Sequence, residues 1–127
     1  MAQVNLLKAH KIAGANFASA ISQNTAVDID AVFWLLIDET WHLSIVTPDV
    51  DKETAFKARR SVIDTVRSLS EEDAEMIGSV FLFGPRDPVA RDLFEASRGK
   101  PKNSIDGVRF TEFGGRFVLY ETSLQAA

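Results

Sequence analysis

The sequence predicts one α+β domain over residues 1–127, with an about five-stranded, largely antiparallel sheet and three helices in the order α-β-β-α-β-α-β-β. Three observations carry this. Two apolar runs, Ala31–Ile37 and Ile77–Phe83, are rich in strand formers and too short for typical helices. Two pairs of strand-like segments are joined by links too short to cross over, so each closes as an antiparallel hairpin. Between them lie segments with apolar residues at three- and four-residue steps, which read as helices. Segregated hairpins with covering helices indicate α+β rather than a doubly wound parallel sheet. Helix-linked strands can still add a parallel pairing.

The elements follow in order. A helix is predicted over Gln3–Ser22, with Leu6, His10, Ala13, Phe17 and Ala20/Ile21 on one face and Lys8, Lys11, Ala15 and Ser19 mostly elsewhere. Ala31–Ile37 reads as a strand covered on both faces. Asp38, Glu39 and Thr40 make a turn into Trp41–Thr47, whose Trp41, Leu43 and Ile45 share a face. Pro48 ends that strand, and Asp49 or Asp51 can cap a helix over Lys52–Leu69. Phe56, Ile63 and Val66, with Ala55, Val62 and Leu69 beside them, form its apolar arc. Ser70 and Asp73 are spaced like a capping box that starts one more short turn, with Glu71, Glu72 and Glu75 suiting an exposed helix N-terminus.

Ile77–Phe83 is the next strand, stopped by Gly84-Pro85. Asp87-Pro88 is an N-cap and first-turn pair for a helix to about Ser97. Val89, Leu93 and Ala96 face inward, and Gly99 terminates the helix. Lys100–Asp106 is a polar loop. Val108–Phe113 and Arg116–Thr122 form a second hairpin turning at Gly114-Gly115. A two-residue turn there sets Phe113 opposite Arg116, Phe110 opposite Leu119 and Arg109 opposite Tyr120. Val108, Phe110, Phe117 and Leu119 then share the core face, and Arg109 can meet the Tyr120 ring in a cation–π contact.

Composition bounds the function. The chain has 127 residues, 46% hydrophobic and 25% charged, enough to bury a core without metals or disulfides and unlike a disordered segment. It contains no cysteine, which removes disulfides, thiol nucleophiles and Cys-ligated metal centres and fits a reducing compartment. No signal-type apolar core opens it, and its longest apolar run falls far short of the roughly 20 residues of a membrane span. A cytoplasmic protein without membrane attachment is expected. A net charge of −4 disfavours nucleic acid as a partner held through phosphates.

No motif carries recognisable catalysis. Asp38, Glu39, His42, Asp49 and Asp51 are close in sequence, but the first two sit at the hairpin turn and the last two past the far end of the second strand, so they read as turn and cap residues. His10 reads as a packed core histidine, and no HExxH spacing is present. Pro48-Asp49 opens a nuclease-like pattern whose second half is missing. A GxSxG elbow and a phosphate-binding glycine loop are absent. No catalytic residue, metal ligand or cofactor is assigned.

Lys57, Arg60 and Arg67 fall on the polar side of the second predicted helix beside Asp64, and Arg59 falls within its apolar arc. An arginine there snorkels, pairs with a carboxylate or meets a partner. Trp41, Arg59, Arg109 and Tyr120 are therefore the candidate interaction residues. Three helices are few for both faces of five strands, which suggests self-association into a homodimer. The expected function is a non-enzymatic protein-interaction module. Two alternatives stand beside it. One is nucleic-acid- or nucleotide-linked regulation through Lys57, Arg60 and Arg67, joined by Arg98, Lys100 and Lys102. The other is a small enzyme or ligand binder with a pocket near His42, Arg86 or Asp87.

The segment AVFWLLIDETWHLSIVTPDVD resembles a group of small, functionally uncharacterised bacterial proteins. The shared features are Val32-Phe33-Trp34, Asp38-Glu39, Trp41-x-Leu43-x-Ile45, Thr47-Pro48 and Val50-Asp51. FGPRDPVARDLF is similar too, and Val32 departs from the alanine usual before the Phe-Trp pair. The resemblance implies a bacterial cytoplasmic protein of the same fold and brings no activity.

Overall fold

The computed structural model describes residues 6–24, 27–51, 53–97, 103–105, 108–113 and 116–120. The elements are α1 (Lys8–Ser22), β1 (Ala31–Ile37), β2 (Thr40–Val46), a 3₁₀ turn (Pro48–Asp51), α2 (Ala55–Ser68), α3 (Glu71–Ile77), β3 (Phe81–Phe83), α4 (Pro88–Ala96), β4 (Asn103–Ile105), β5 (Val108–Phe113) and β6 (Phe117–Tyr120). The α+β class holds, with four α-helices and a six-stranded sheet of order β3-β2-β1-β6-β5-β4 among the described residues. β2 and β3, joined by helices, pair in parallel, and the other neighbours are antiparallel.

β1 lies inside the sheet and is buried on both faces, as its unbroken apolar run predicts. Val32 and Trp34 join a core shared with α1, α2 and α3. Ala31, Phe33 and Leu35 join the smaller core under α4. The β1–β2 register pairs Ile37 with Thr40, leaving Asp38-Glu39 as a two-residue loop. Both have positive φ, 49° and 66°. Such primed turns match the strand twist, but left-handed backbone is unfavourable for a residue like glutamate.

The caps predicted at Ser70 and Asp87 are borne out. Ser70 Oγ accepts from the Asp73 N–H at 3.2 Å, and Asp87 Oδ1 accepts from the Val89 N–H at 2.9 Å with Pro88 opening α4. The Asp73 carboxylate accepts from Asn16 Nδ2 at 2.8 Å, tying α3 to α1.

Four expectations need correction. Ile77–Phe83 is not one strand. Its first residue completes α3, Gly78 at φ 63° ends that helix, and only Phe81–Phe83 remains as β3. Ile77 is buried in the α1-side core, so the apolar run serves a helix end and a strand in turn. Part of the expected polar loop 100–106 forms β4, which pairs with β5. In the last hairpin, Phe113 pairs with Phe117 and Phe110 with Tyr120. The connection therefore has three residues rather than two; Gly114 and Gly115 lie outside the described residues. A one-residue change of register exchanges the faces. Phe110, Val118 and Tyr120 point to the α1 side, while Phe117 and Leu119 point to α4. Finally, α1 buries Ala15 beside Ala13, Phe17, Ala18 and Ile21, a broader face than predicted, because α2 and α3 pack on it as well as the sheet. Residues 3–5 of the predicted first helix, and Gly99, are outside the described residues.

α1 meets the sheet at Gly14. A Cβ there would collide with Tyr120 Oη and lie 2.5 Å from Trp34 Nε1. Gly14→Ala is therefore expected to cost about 2 kcal/mol through overpacking, read as a lower urea midpoint. An unchanged midpoint would show that the contact is not tight. Glu39→Gly is expected to gain about 1 kcal/mol by relieving a left-handed glutamate. An equal or lower midpoint would remove the strain argument.

Candidate functional site

The entry to α2 is fixed by Asp49. This buried carboxylate accepts from the Asp28 backbone N–H at 3.0 Å and from the Thr54 hydroxyl at 2.9 Å, joining the segment before β1 to the helix start. Asp49 thus acts one step away from the cap, through Thr54, in place of the direct cap expected. The Asp51 side chain lies outside the described residues.

From that anchor, α2 buries Ala58, Val62 and Thr65. The predicted arc of Phe56, Ile63 and Val66 is displaced. Phe56 is 73% exposed and Ile63 51%, while Val66 is partly buried. The helix has two overlapping apolar arcs, and the one with smaller side chains turns toward α1, whose buried face includes the small residues Ala13, Gly14, Ala15 and Ala18. The outward surface then carries Phe56, Arg60, Ile63 and Arg67 at steps of four, three and four residues, which keeps them in one stripe. Lys57, Arg59, Arg60 and Arg67 are all exposed, and none has a carboxylate within ion-pairing distance among the described residues. The pairing of Arg60 with Asp64, open to them by spacing, is not made.

Beside this stripe runs a groove of about 490 Å³. One wall is α2, with Arg59, Val62, Ile63, Val66 and Arg67. The other is the chain from Gly78 to Leu82, which enters β3. β3 is the terminal strand on that side of the sheet, so its outer edge is unpaired among the described residues. On the opposite face of the sheet α4 is the single covering helix among the described residues. Phe81 is left exposed there, its ring stacked on His42 at 4.6 Å and 17°.

The remaining sequence candidates separate. Tyr120 is completely buried and belongs to the core. It accepts from Trp34 Nε1–H at 2.9 Å and donates to the Lys11 carbonyl at 2.7 Å. Arg109 pairs with Ser104 of β4 instead of opposing Tyr120, so the cation–π expectation fails with the register. Trp41 is half-buried against the α1-side core, and its Nε1–H has no hydrogen-bond partner among the described residues. His10 sits edge-on to Trp34 at 5.7 Å, the packing role expected, but its buried Nδ1 has no hydrogen-bond partner among the described residues. His42, Arg86 and Asp87 line neither the α2 groove nor the shallow depression beside α4, and Asp87 is occupied as a cap. Arg98, Lys100 and Lys102 lie outside the described residues. No group of three or more metal-ligating side chains is found among the described residues. The exposed stripe was missed because periodicity marks apolar arcs without saying which one is buried; the signal available was arginine inside one of them.

No protein-family model, curated protein or solved structure matches the chain.

Burial pushes the Tyr120 phenol well above its ordinary range; the Trp34 hydrogen bond opposes this and the Glu112 charge adds to it. The folded state therefore holds this proton to higher pH than the unfolded chain, whose phenol titrates near pH 10. Above that pH the unfolded state binds fewer protons, so stability falls by up to about 1.4 kcal/mol per pH unit. Tyr120 is the chain's only tyrosine. The tyrosinate absorbance is expected to appear only with unfolding, and Tyr120→Phe to flatten the alkaline decline. A tyrosinate signal from folded protein near pH 10 would contradict this.

Proposed function

We propose that this protein is a non-enzymatic interaction module that receives another protein chain along the outer face of α2 and the adjoining groove at the β3 edge. The observation that carries the reading is the side-chain arrangement of α2. Two large apolar residues, Phe56 and Ile63, stand in solvent among four cations with no carboxylate partners among the described residues. An exposed apolar stripe of this kind, rimmed by charge, is the usual mark of a contact surface.

The composition of the stripe favours a protein over a nucleic acid. A phosphate backbone would satisfy the arginines but leave Phe56 and Ile63 uncovered. It also favours a different chain over a second copy. A two-fold contact through α2 would bring the same four cations from both sides into one interface, since an isologous interface uses the same patch on each copy. Self-association, expected from the sparsely covered sheet, would have to use another face.

Selection from a random displayed peptide library tests this. The wild-type protein is expected to enrich a convergent family of peptides. Phe56→Glu/Ile63→Glu is expected to enrich none of it while keeping its unfolding free energy within about 1 kcal/mol, because both residues are exposed. Failure of the wild type to converge, or the same family on the double variant, would overturn the proposal.

A further inference from the structure

The groove under α2 points to a particular kind of partner, an inference that rests on the contact surface proposed above. Arg59, Ile63 and Arg67 are four residues apart and all line the groove. The helical rise spaces them by about 6 Å, so the two arginine positions lie about 12 Å apart. Neither has a carboxylate within ion-pairing distance among the described residues.

The facing wall ends in a strand edge that is unpaired among the described residues. The Thr47 N–H donates to the Phe83 carbonyl at 2.9 Å, so Phe83 turns its backbone toward β2. By strand alternation Leu82 turns its N–H and C=O to the free edge. An extended chain laid there presents residues i, i+2 and i+4 to the α2 side at steps of about 6.6 Å, or about 13 Å from first to last. That span matches the arginine spacing within about an ångström.

We infer that the β3 edge takes an extended segment of a partner protein with the pattern acid-x-apolar-x-acid. Its two carboxylates meet the Arg59 and Arg67 guanidinium groups, and its central apolar side chain rests on Ile63. Strand addition supplies the backbone pairing, and paired arginine–carboxylate bonds supply the selectivity. β3 has only three residues, so the backbone alone offers too few hydrogen bonds for selectivity. A second copy of this chain does not supply the segment. Its acids four residues apart are Asp49/Glu53 and Glu71/Glu75, and the central residue is an aspartate in each case, Asp51 and Asp73.

Fluorescence anisotropy with labelled synthetic peptides tests the inference on the full chain. A strand-favouring peptide containing Glu-x-Leu-x-Glu is expected to bind at least about ten-fold more tightly than its Gln-x-Leu-x-Gln counterpart, the loss a charge-assisted bond carries. Arg59→Glu/Arg67→Glu is expected to lose the acidic peptide and gain the Lys-x-Leu-x-Lys peptide. N-methylation of the peptide backbone on the side facing β3 is expected to abolish binding. Equal affinity for the acidic and glutamine peptides, no charge-swap rescue, or full binding of the N-methylated peptide would each overturn the inference. So would tighter binding of a single-stranded oligonucleotide, or a dimer in light scattering that the double exchange disperses. A convergent but non-acidic family from the displayed library would leave the contact surface standing and remove this partner alone.

Discussion

The indole of Trp34 on β1 donates to the hydroxyl of Tyr120 on β6, and that hydroxyl donates to the Lys11 carbonyl of α1. This chain of two hydrogen bonds crosses three elements that are distant in sequence. Trp34 and Tyr120 are fully buried, so leaving either polar group without its bond would carry the desolvation cost of that group. The geometry requires close approach, and Gly14 permits it by having no side chain where Tyr120 Oη sits. α1 is thereby held at one height and rotation over the middle of the sheet.

The placement of the other helices follows from α1. Asn16 on its far side reaches Asp73, which positions α3. α2 packs against α1 and α3 through Ala58, Val62 and Thr65, small residues suited to close helix contact. Once α2 turns that face inward, Phe56, Ile63 and the arginines have no place except the surface. Asp49 holds the helix entry from the other end, so the rotation is set twice. The proposed contact surface is thus a consequence of how the core is closed. Nothing local to α2 requires it.

The same logic explains why candidate residues changed character. Tyr120 was a surface candidate because a two-residue turn at Gly114-Gly115 would place it beside Arg109. One more residue in the connection moves Tyr120 into the core and gives it the central structural role. Arg59 keeps its candidacy for the reason first seen, an arginine within an apolar arc. At Arg59 and Ile63 that arc forms a groove wall, while Val62 beside them belongs to the core.

Sequence alone determined the α+β class, the bounds of β1, its antiparallel pairing with β2 across a short acidic turn and the caps at Ser70 and Asp87, because each depends on a few neighbouring residues. It marked the two alternating faces of β2 as well. Tertiary structure decided which of two arcs α2 would bury, where Ile77 would belong, how the last hairpin would register and that 103–105 would join the sheet. Those choices compare alternatives of similar local energy. They are settled by which one lets α1 sit against Trp34 and Tyr120, and that condition is written across residues more than a hundred positions apart.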